Sequence, residues 1–236
     1  MDKINLDNYK AIIFDLDGVI YDITEAIDIS VEDAIKKYTL NVKKDDIMQE
    51  IAHLIEEIQN YPVPQIILKS YDLLKEINAL EGLKYFKKMR IAIFLFNQFN
   101  KYREDAKIFE GVEEIISKLS KKVKLAILTN NKSSYAEEVL EKFNLTNYFE
   151  TIIGFNDVKE VKPSPEGLEK ILKIWSLKPS DAIFIGDMTT DIQAGKAANI
   201  KTICVASGLA QKGTLMEQNP DILLDEVQDL SIVFDL

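Results

Sequence analysis

The chain has 236 residues, 29 of them Lys or Arg and 39 Asp or Glu, for a formal net charge of -10. A 47% hydrophobic share beside 29% charged residues is ordinary for a globular protein and supplies a sizeable core, which excludes disordered, collagen-like and disulfide-scaffold classes. The acidic balance repels nucleic acid and anionic membranes, and no local basic patch offsets it. Cys204 is the single cysteine, so neither an intramolecular disulfide nor a thiolate-based zinc site is expected. The opening Met1-Asp2-Lys3-Ile4-Asn5 lacks the basic-then-apolar layout of a secretory signal. The longest purely apolar stretch, Ile91 to Phe96, is far short of the roughly 20 residues of a membrane helix. A soluble cytoplasmic protein with no nucleic-acid or membrane partner is the expectation, as one large domain or a domain carrying a smaller second one.

In chain order, the first element is a short Ile-rich run over 11–14 that ends at Asp15 and reads as a strand. From 24 to 107 the sequence has a single glycine, Gly82, and its apolar spacing predicts helices over 24–38, 44–59, 65–80 and 83–102. Residues 91–96 have the apolarity of a strand, but Tyr85, Phe86, Met89 and Phe99 continue around them at helical spacing, so helix is preferred. Helices over 111–119, 134–143, 165–175 and 190–198 then alternate with apolar strands over 123–128, 151–153, 182–185 and 202–205. That alternation predicts an α/β doubly wound parallel sheet, interrupted after its first strand by a helical insertion.

Chemistry-bearing residues gather at the predicted strand ends. Asp15 and Asp17, followed by Gly18, stand after the first strand, where two carboxylates at i and i+2 can approach one small site. Thr129, Asn130 and Asn131 end the second strand, Lys162 follows the third between Val161 and Pro163, and Asp187 and Asp191 follow the fourth. In a parallel sheet these four ends open on one edge. They bring together four carboxylates, a hydroxyl and one ammonium group. Crowded carboxylates repel one another unless a cation sits among them, and all-oxygen ligands suit a hard divalent ion such as Mg²⁺. Taken alone, an Asp-x-Asp at a strand end is also ordinary turn chemistry, and it is the companions that favour a site.

Those four motifs, in this order and strand context, resemble the haloacid dehalogenase-like superfamily, in its branch of phosphoglycolate phosphatases and β-phosphoglucomutases. The resemblance implies a Rossmann-like core with strand order 3-2-1-4-5, formed here by 1–22 and 108–236, with a helical cap over 23–107. It implies Asp15 as the nucleophile that becomes an aspartyl phosphate and Asp17 as acid and then base. It implies Thr129, Asn130, Gly18 and Lys162 as phosphate-binding residues, with Thr129 and Lys162 also counted as catalytic. Mg²⁺ is implied on Asp15, Asp187, Asp191 and the main-chain carbonyl of Asp17, with Asp191 holding a metal-bound water or positioning Lys162. The expected activity is hydrolysis of a small-molecule phosphate monoester by a monomer or homodimer. A sugar phosphomutase, a pyrophosphatase and a non-catalytic binder on the same scaffold are the alternatives.

Within the superfamily, dehalogenases lack a carboxylate at the position of Asp17, which argues against a carbon–halogen substrate. Mutases usually carry a His where this chain has Ile27, which weakens that reading. Nothing singles out a cap lysine, Lys36 and Lys37 included, as the Schiff-base group of a phosphonatase. Val19 and Ile23 stand where phosphatases often have Thr and Ser, so phosphoglycolate itself is not implied. Elsewhere, ordinary roles are preferred. His53, the only histidine, is expected to be partly buried, and Cys204 to fill core. Tyr85, Phe86, Phe94, Phe96, Phe99 and Tyr102 are expected to pack between cap helices rather than line a pocket. Lys118, Lys121, Lys122 and Lys124 read as a solvated face. The segment 208–214 resembles a nucleotide-binding loop, but Thr214 stands where that motif needs Lys.

Overall fold

The computed structural model describes residues 3–44, 50, 80–208 and 210–236. The chain divides into two compact units, Met1–Asp22 with Ile108–Leu236, and Ile23–Lys107.

The strands are β1 (Ala11–Phe14), β2 (Tyr21–Asp22), β3 (Lys107–Ile108), β4 (Lys124–Leu128), β5 (Thr151–Ile153), β6 (Ala182–Gly186), β7 (Lys201–Val205) and β8 (Ile222–Leu224). Six of them form one parallel sheet in the order β5-β4-β1-β6-β7-β8, while β2 and β3 form a separate two-stranded sheet. Counting only the strands of the main sheet, this is the expected 3-2-1-4-5 order with a sixth strand added beside β7. The sixth strand, Ile222–Leu224, lies beyond the five runs read as strands in the sequence. Strand order reverses on either side of β1, and such a reversal opens a crevice at the carboxyl ends of the strands.

The sheet is held by burial on both faces. Ile12 and Ile13 of β1 are wholly buried, and Ile13 lies opposite Ala126 on one side and Phe184 on the other. Helices α3 (Val112–Leu119), α4 (Ser133–Lys142), α5 (Glu166–Trp175) and α6 (Thr189–Ala197) follow β3, β4, β5 and β6. Leu168, Ile171 and Leu172 recur at helical spacing on α5 and join Leu128, Ile153 and Phe184 in the core. Each such fully buried side chain contributes about 1.5–3 kcal/mol. Gly167 permits the close approach of α5 to β4, since a Cβ there would lie 2.4 Å from Leu128 Cδ1. Two shorter helices, α7 (Lys212–Glu217) and α8 (Leu230–Val233), complete this unit.

In the second unit, α1 (Thr24–Tyr38) and α2 (Tyr85–Arg103) pack together. Phe94 meets Tyr38 edge to face at 5.7 Å, and the Tyr38 hydroxyl donates to the Arg90 carbonyl. Tyr102 and Gln98 both donate to Asp33 Oδ2, at 2.6 and 2.7 Å. Residues 91–96 are helical, as their flanks indicated. Part of the aromatic stripe packs as expected, whereas Phe86 and Phe96 are exposed. His53 and nearly all of the helices expected over 44–59 and 65–80 lie outside the described residues.

Candidate active site

The carboxyl edge of the sheet collects its polar side chains because each strand stops where its apolar run gives way to a polar residue. Asp15 follows β1, and its N–H continues the β6 pairing by donating to the Ile185 carbonyl at 2.8 Å. Thr129 follows β4 and Asp187 follows β6, while Lys162 lies between β5 and α5 and Asp191 in the first turn of α6. All five are buried.

Lys162 is the centre of charge. Its Nζ lies 2.9 Å from Asp15 Oδ2 and 2.7 Å from Asp191 Oδ1. Burial works against the ammonium form, but Asp15 and Asp191 outweigh it and hold the Lys162 pKa above the ordinary lysine range. For Asp15 the balance falls the other way. Burial pushes its pKa up to about 7; Lys162 opposes the rise, and Asp191 and then Asp17 add to it. One buried ammonium group is not enough for this many carboxylates.

Asp191 also secures its own loop. Its Oδ2 accepts from the N–H groups of Asp187 and Met188 at 3.1 and 2.9 Å, so a residue three positions into α6 caps the turn that carries Asp187. Gly18, with φ of +81°, and Gly208 make room for the Asp187 carboxylate. A Cβ at either glycine would stand 2.1 or 1.8 Å from Asp187 Oδ2.

Carboxylate oxygens of Asp15, Asp187 and Asp191 lie within 4.8 Å of one another, the one such group of three among the described residues. Three buried oxygen donors, charge that Lys162 only partly offsets, and two glycines cradling one carboxylate fit a hard divalent cation such as Mg²⁺. The Asp17 carboxylate stands apart from this group. Its Oδ1 accepts from the Tyr135 hydroxyl at 3.0 Å and its Oδ2 from Asn131 Nδ2 at 2.7 Å.

The Asn130 side chain is engaged with the main chain of Lys162. Its Oδ1 accepts from the Lys162 N–H at 3.1 Å and its Nδ2 donates to the Lys162 carbonyl at 3.2 Å. Both polar atoms thus pin the main chain that delivers the ammonium group. Thr129 Oγ1 accepts from the Asn131 N–H at 3.0 Å, which fixes the turn after β4. Cys204 is buried in β7, and burial, with Asp191 and Asp187 nearby, raises its thiol pKa far above the usual range. It is a core residue, as expected.

A family model described as haloacid dehalogenase-like hydrolase matches residues 12–205, which spans the whole arrangement from β1 to β7. The chain belongs to this family. This haloacid dehalogenase-like hydrolase is 29% identical over 225 residues to the pyrophosphatase PpaX of Bacillus mycoides (strain KBAB4), with 94% of each chain covered. A predicted phosphoglycolate phosphatase of Haemophilus somnus 129PT shares the fold with a TM-score of 0.69 at 20% identity, over 96% of this chain and 98% of that one. A haloacid dehalogenase-like family hydrolase of Streptococcus pneumoniae does so with a TM-score of 0.68 at 18% identity, again over 96% and 98%. No helix among the described residues of this hydrolase is long and apolar enough to cross a membrane.

Three contributors are set by the fold rather than by local sequence pattern. Tyr135 lies inside α4, away from any strand end, and only the fold brings it to Asp17. Asn131 was visible as an amide donor but not as the partner of a particular carboxylate. Gly208 stood in the string that resembles a nucleotide-binding loop, and its use is to clear space for Asp187.

Proposed function

We propose that this hydrolase is a Mg²⁺-dependent phosphatase of small phosphate monoesters that works through a phosphoenzyme on Asp15. The observation that carries the reading is the buried group of Asp15, Asp187 and Asp191 against Lys162, at the edge of the sheet where the strand order reverses. In the first step an Asp15 carboxylate oxygen attacks phosphorus, the bond to the ester oxygen breaks, and Asp17 gives that oxygen its proton. In the second step Asp17, now a base, takes a proton from water, which attacks phosphorus and releases phosphate and the free Asp15 carboxylate. Thr129 and Lys162 bind the phosphoryl oxygens, and Lys162 offsets charge that builds on them. Asp191 keeps Lys162 and the Asp187 turn in place. Mg²⁺ held by Asp15, Asp187, the Asp17 carbonyl and, directly or through water, Asp191 would supply positive charge beside the transferring group.

Residues 23–107 act in this reading as the cap that selects the ester. The enzyme works as a monomer or homodimer in the cytoplasm, a setting that its single cysteine fits. A pyrophosphatase is the second reading, favoured by the name of the relatives at 29% identity, and it uses the same residues with phosphate as the leaving group. The test is phosphate release from a panel of monoesters and pyrophosphate, with and without Mg²⁺, by wild type and Asp15→Asn. Mg²⁺-dependent release that disappears in the variant is expected, and the best substrate separates the two readings. Folded wild-type protein that releases no phosphate from any of them would overturn both.

A further inference from the structure

Asp17 has an arrangement of its own, and neither the metal-capable group nor Lys162 accounts for it. Both of its carboxylate oxygens accept hydrogen bonds from one short segment, Oδ2 from Asn131 and Oδ1 from Tyr135, four residues apart. The segment is itself held. The Asn131 N–H donates to Thr129 Oγ1, and the Asn131 carbonyl accepts from the Phe155 N–H at 2.9 Å. Gly154 lets these two loops meet, because a Cβ there would lie 2.7 Å from the Asn131 oxygen and 2.2 Å from the Ser133 nitrogen. Tyr135 follows in the first turn of α4, its N–H donating to the Lys132 carbonyl at 3.1 Å.

A carboxylate gripped at both oxygens by donors on one anchored turn has lost its freedom about the Cβ–Cγ bond. Proton transfer is steeply sensitive to that freedom, since the acid must lie within hydrogen-bond reach of the leaving oxygen. We infer that Asn131 and Tyr135 are positioning residues that fix the Asp17 carboxylate for proton transfer to the leaving group. This rests on the reading of Asp17 as the acid. Neither donor needs to touch the substrate. Their effect is exerted through Asp17, and its size therefore follows how much help the leaving group needs.

That dependence provides the test. Values of kcat/KM, which report the first step, are measured with Mg²⁺ for a series of substituted phenyl phosphates running from 4-nitrophenyl to 4-methoxyphenyl. The enzymes are wild type, Asp17→Asn, Tyr135→Phe and Asn131→Ala, each checked for its melting temperature. Asp17→Asn sets the scale by making the fall of kcat/KM with leaving-group basicity steeper than in wild type. Tyr135→Phe and Asn131→Ala are expected to steepen it in the same sense, losing about tenfold on the 4-methoxyphenyl ester and under about twofold on the 4-nitrophenyl ester, a part of the roughly 10²–10⁴ that acid–base catalysis supplies. Equal losses along the series, or none, in these two variants would overturn the inference while Asp17→Asn still behaves as an acid variant. An Asp17→Asn series parallel to wild type would instead overturn the reading on which the inference rests.

Discussion

The sheet edge and the helix pair of the second unit use the same kinds of side chain to opposite ends. At the edge, Asp15, Asp187, Asp191 and Lys162 are all buried, and the ammonium group bridges two carboxylates. In the second unit most of the described charges sit near the surface: Lys44 pairs with Asp28 and Glu32, Asp33 accepts from Tyr102 and Gln98, and Lys37 lies 3.8 Å from the centre of the Phe94 ring, while Lys88 of α2 is buried. Surface pairs of this kind contribute little, because solvent screens them and holding two long side chains together costs entropy. A buried charge costs several kcal/mol unless it is paired, so a fold retains a cluster of them only where chemistry repays the cost. The contrast supports the proposed site at the edge, and it can be broken from either side.

The largest effect on stability is expected from Lys162→Met, which leaves Asp15 and Asp191 buried without their cation. Chemical denaturation of the metal-free variant should show a loss of about 3–5 kcal/mol, partly recovered by saturating Mg²⁺. A variant as stable as wild type would remove the electrostatic account of the edge. Next in size is the pH dependence of the metal-free protein. The Asp15 pKa rises from 3.8 to about 7 on folding, so the folded state binds more protons than the unfolded state between those values. The Asp15 contribution to stability is therefore full below the lower value and falls as pH rises through the window. Denaturation midpoints measured across that range should decline more steeply in wild type than in Asp15→Asn, and Mg²⁺ should flatten the wild-type trend.

Smaller again is Gly208→Ala, whose Cβ would take the space of the Asp187 carboxylate. Mg²⁺ affinity, read by calorimetry, should weaken by about 10–100-fold, the usual cost of disturbing the support of a ligand. Unchanged affinity would mean that Asp187 does not hold the ion. The smallest effect belongs to the other region. Donation from Tyr102 and Gln98 lowers the Asp33 pKa below its ordinary 3.8, so its contribution is present at neutral pH and is lost as pH falls through that lowered value. Asp33→Asn should cost under about 1 kcal/mol at pH 7, with the gap to wild type closing in acid. A loss as large as that of Lys162→Met would erase the contrast between the two regions.

Much of the edge was legible in the sequence because parallel strands put the residues that end their apolar runs on one side. Asp15, Thr129 and Asp187 each follow a strand; the alternation of strands with helices points to a parallel sheet, while its 3-2-1-4-5 order is implied only by the family resemblance. What escaped was set by tertiary contact rather than by local pattern. The Asn130 side chain holds the Lys162 main chain, a pairing across 32 residues that no local pattern encodes. Tyr135 reaches Asp17 across 118 residues of chain, a separation that no periodicity encodes. The strands β2 and β3, two residues long, are too short for alternation or apolarity to announce them. In the second unit the spacing identified α1 and α2, but the same aromatic stripe contains Phe94, packed on Tyr38, and Phe96, exposed, which sequence alone does not distinguish.

The central claim is that Asp15 carries the phosphoryl group. It is tested most directly by quenching the enzyme in acid during turnover of 4-nitrophenyl phosphate with Mg²⁺ and locating the modified residue by peptide mass spectrometry. The account predicts a phosphoryl group on the peptide that contains Asp15, present in wild type during turnover and absent from Asp15→Asn. Turnover with that peptide unmodified and the group found on another residue, or an active Asp15→Asn enzyme, would contradict it.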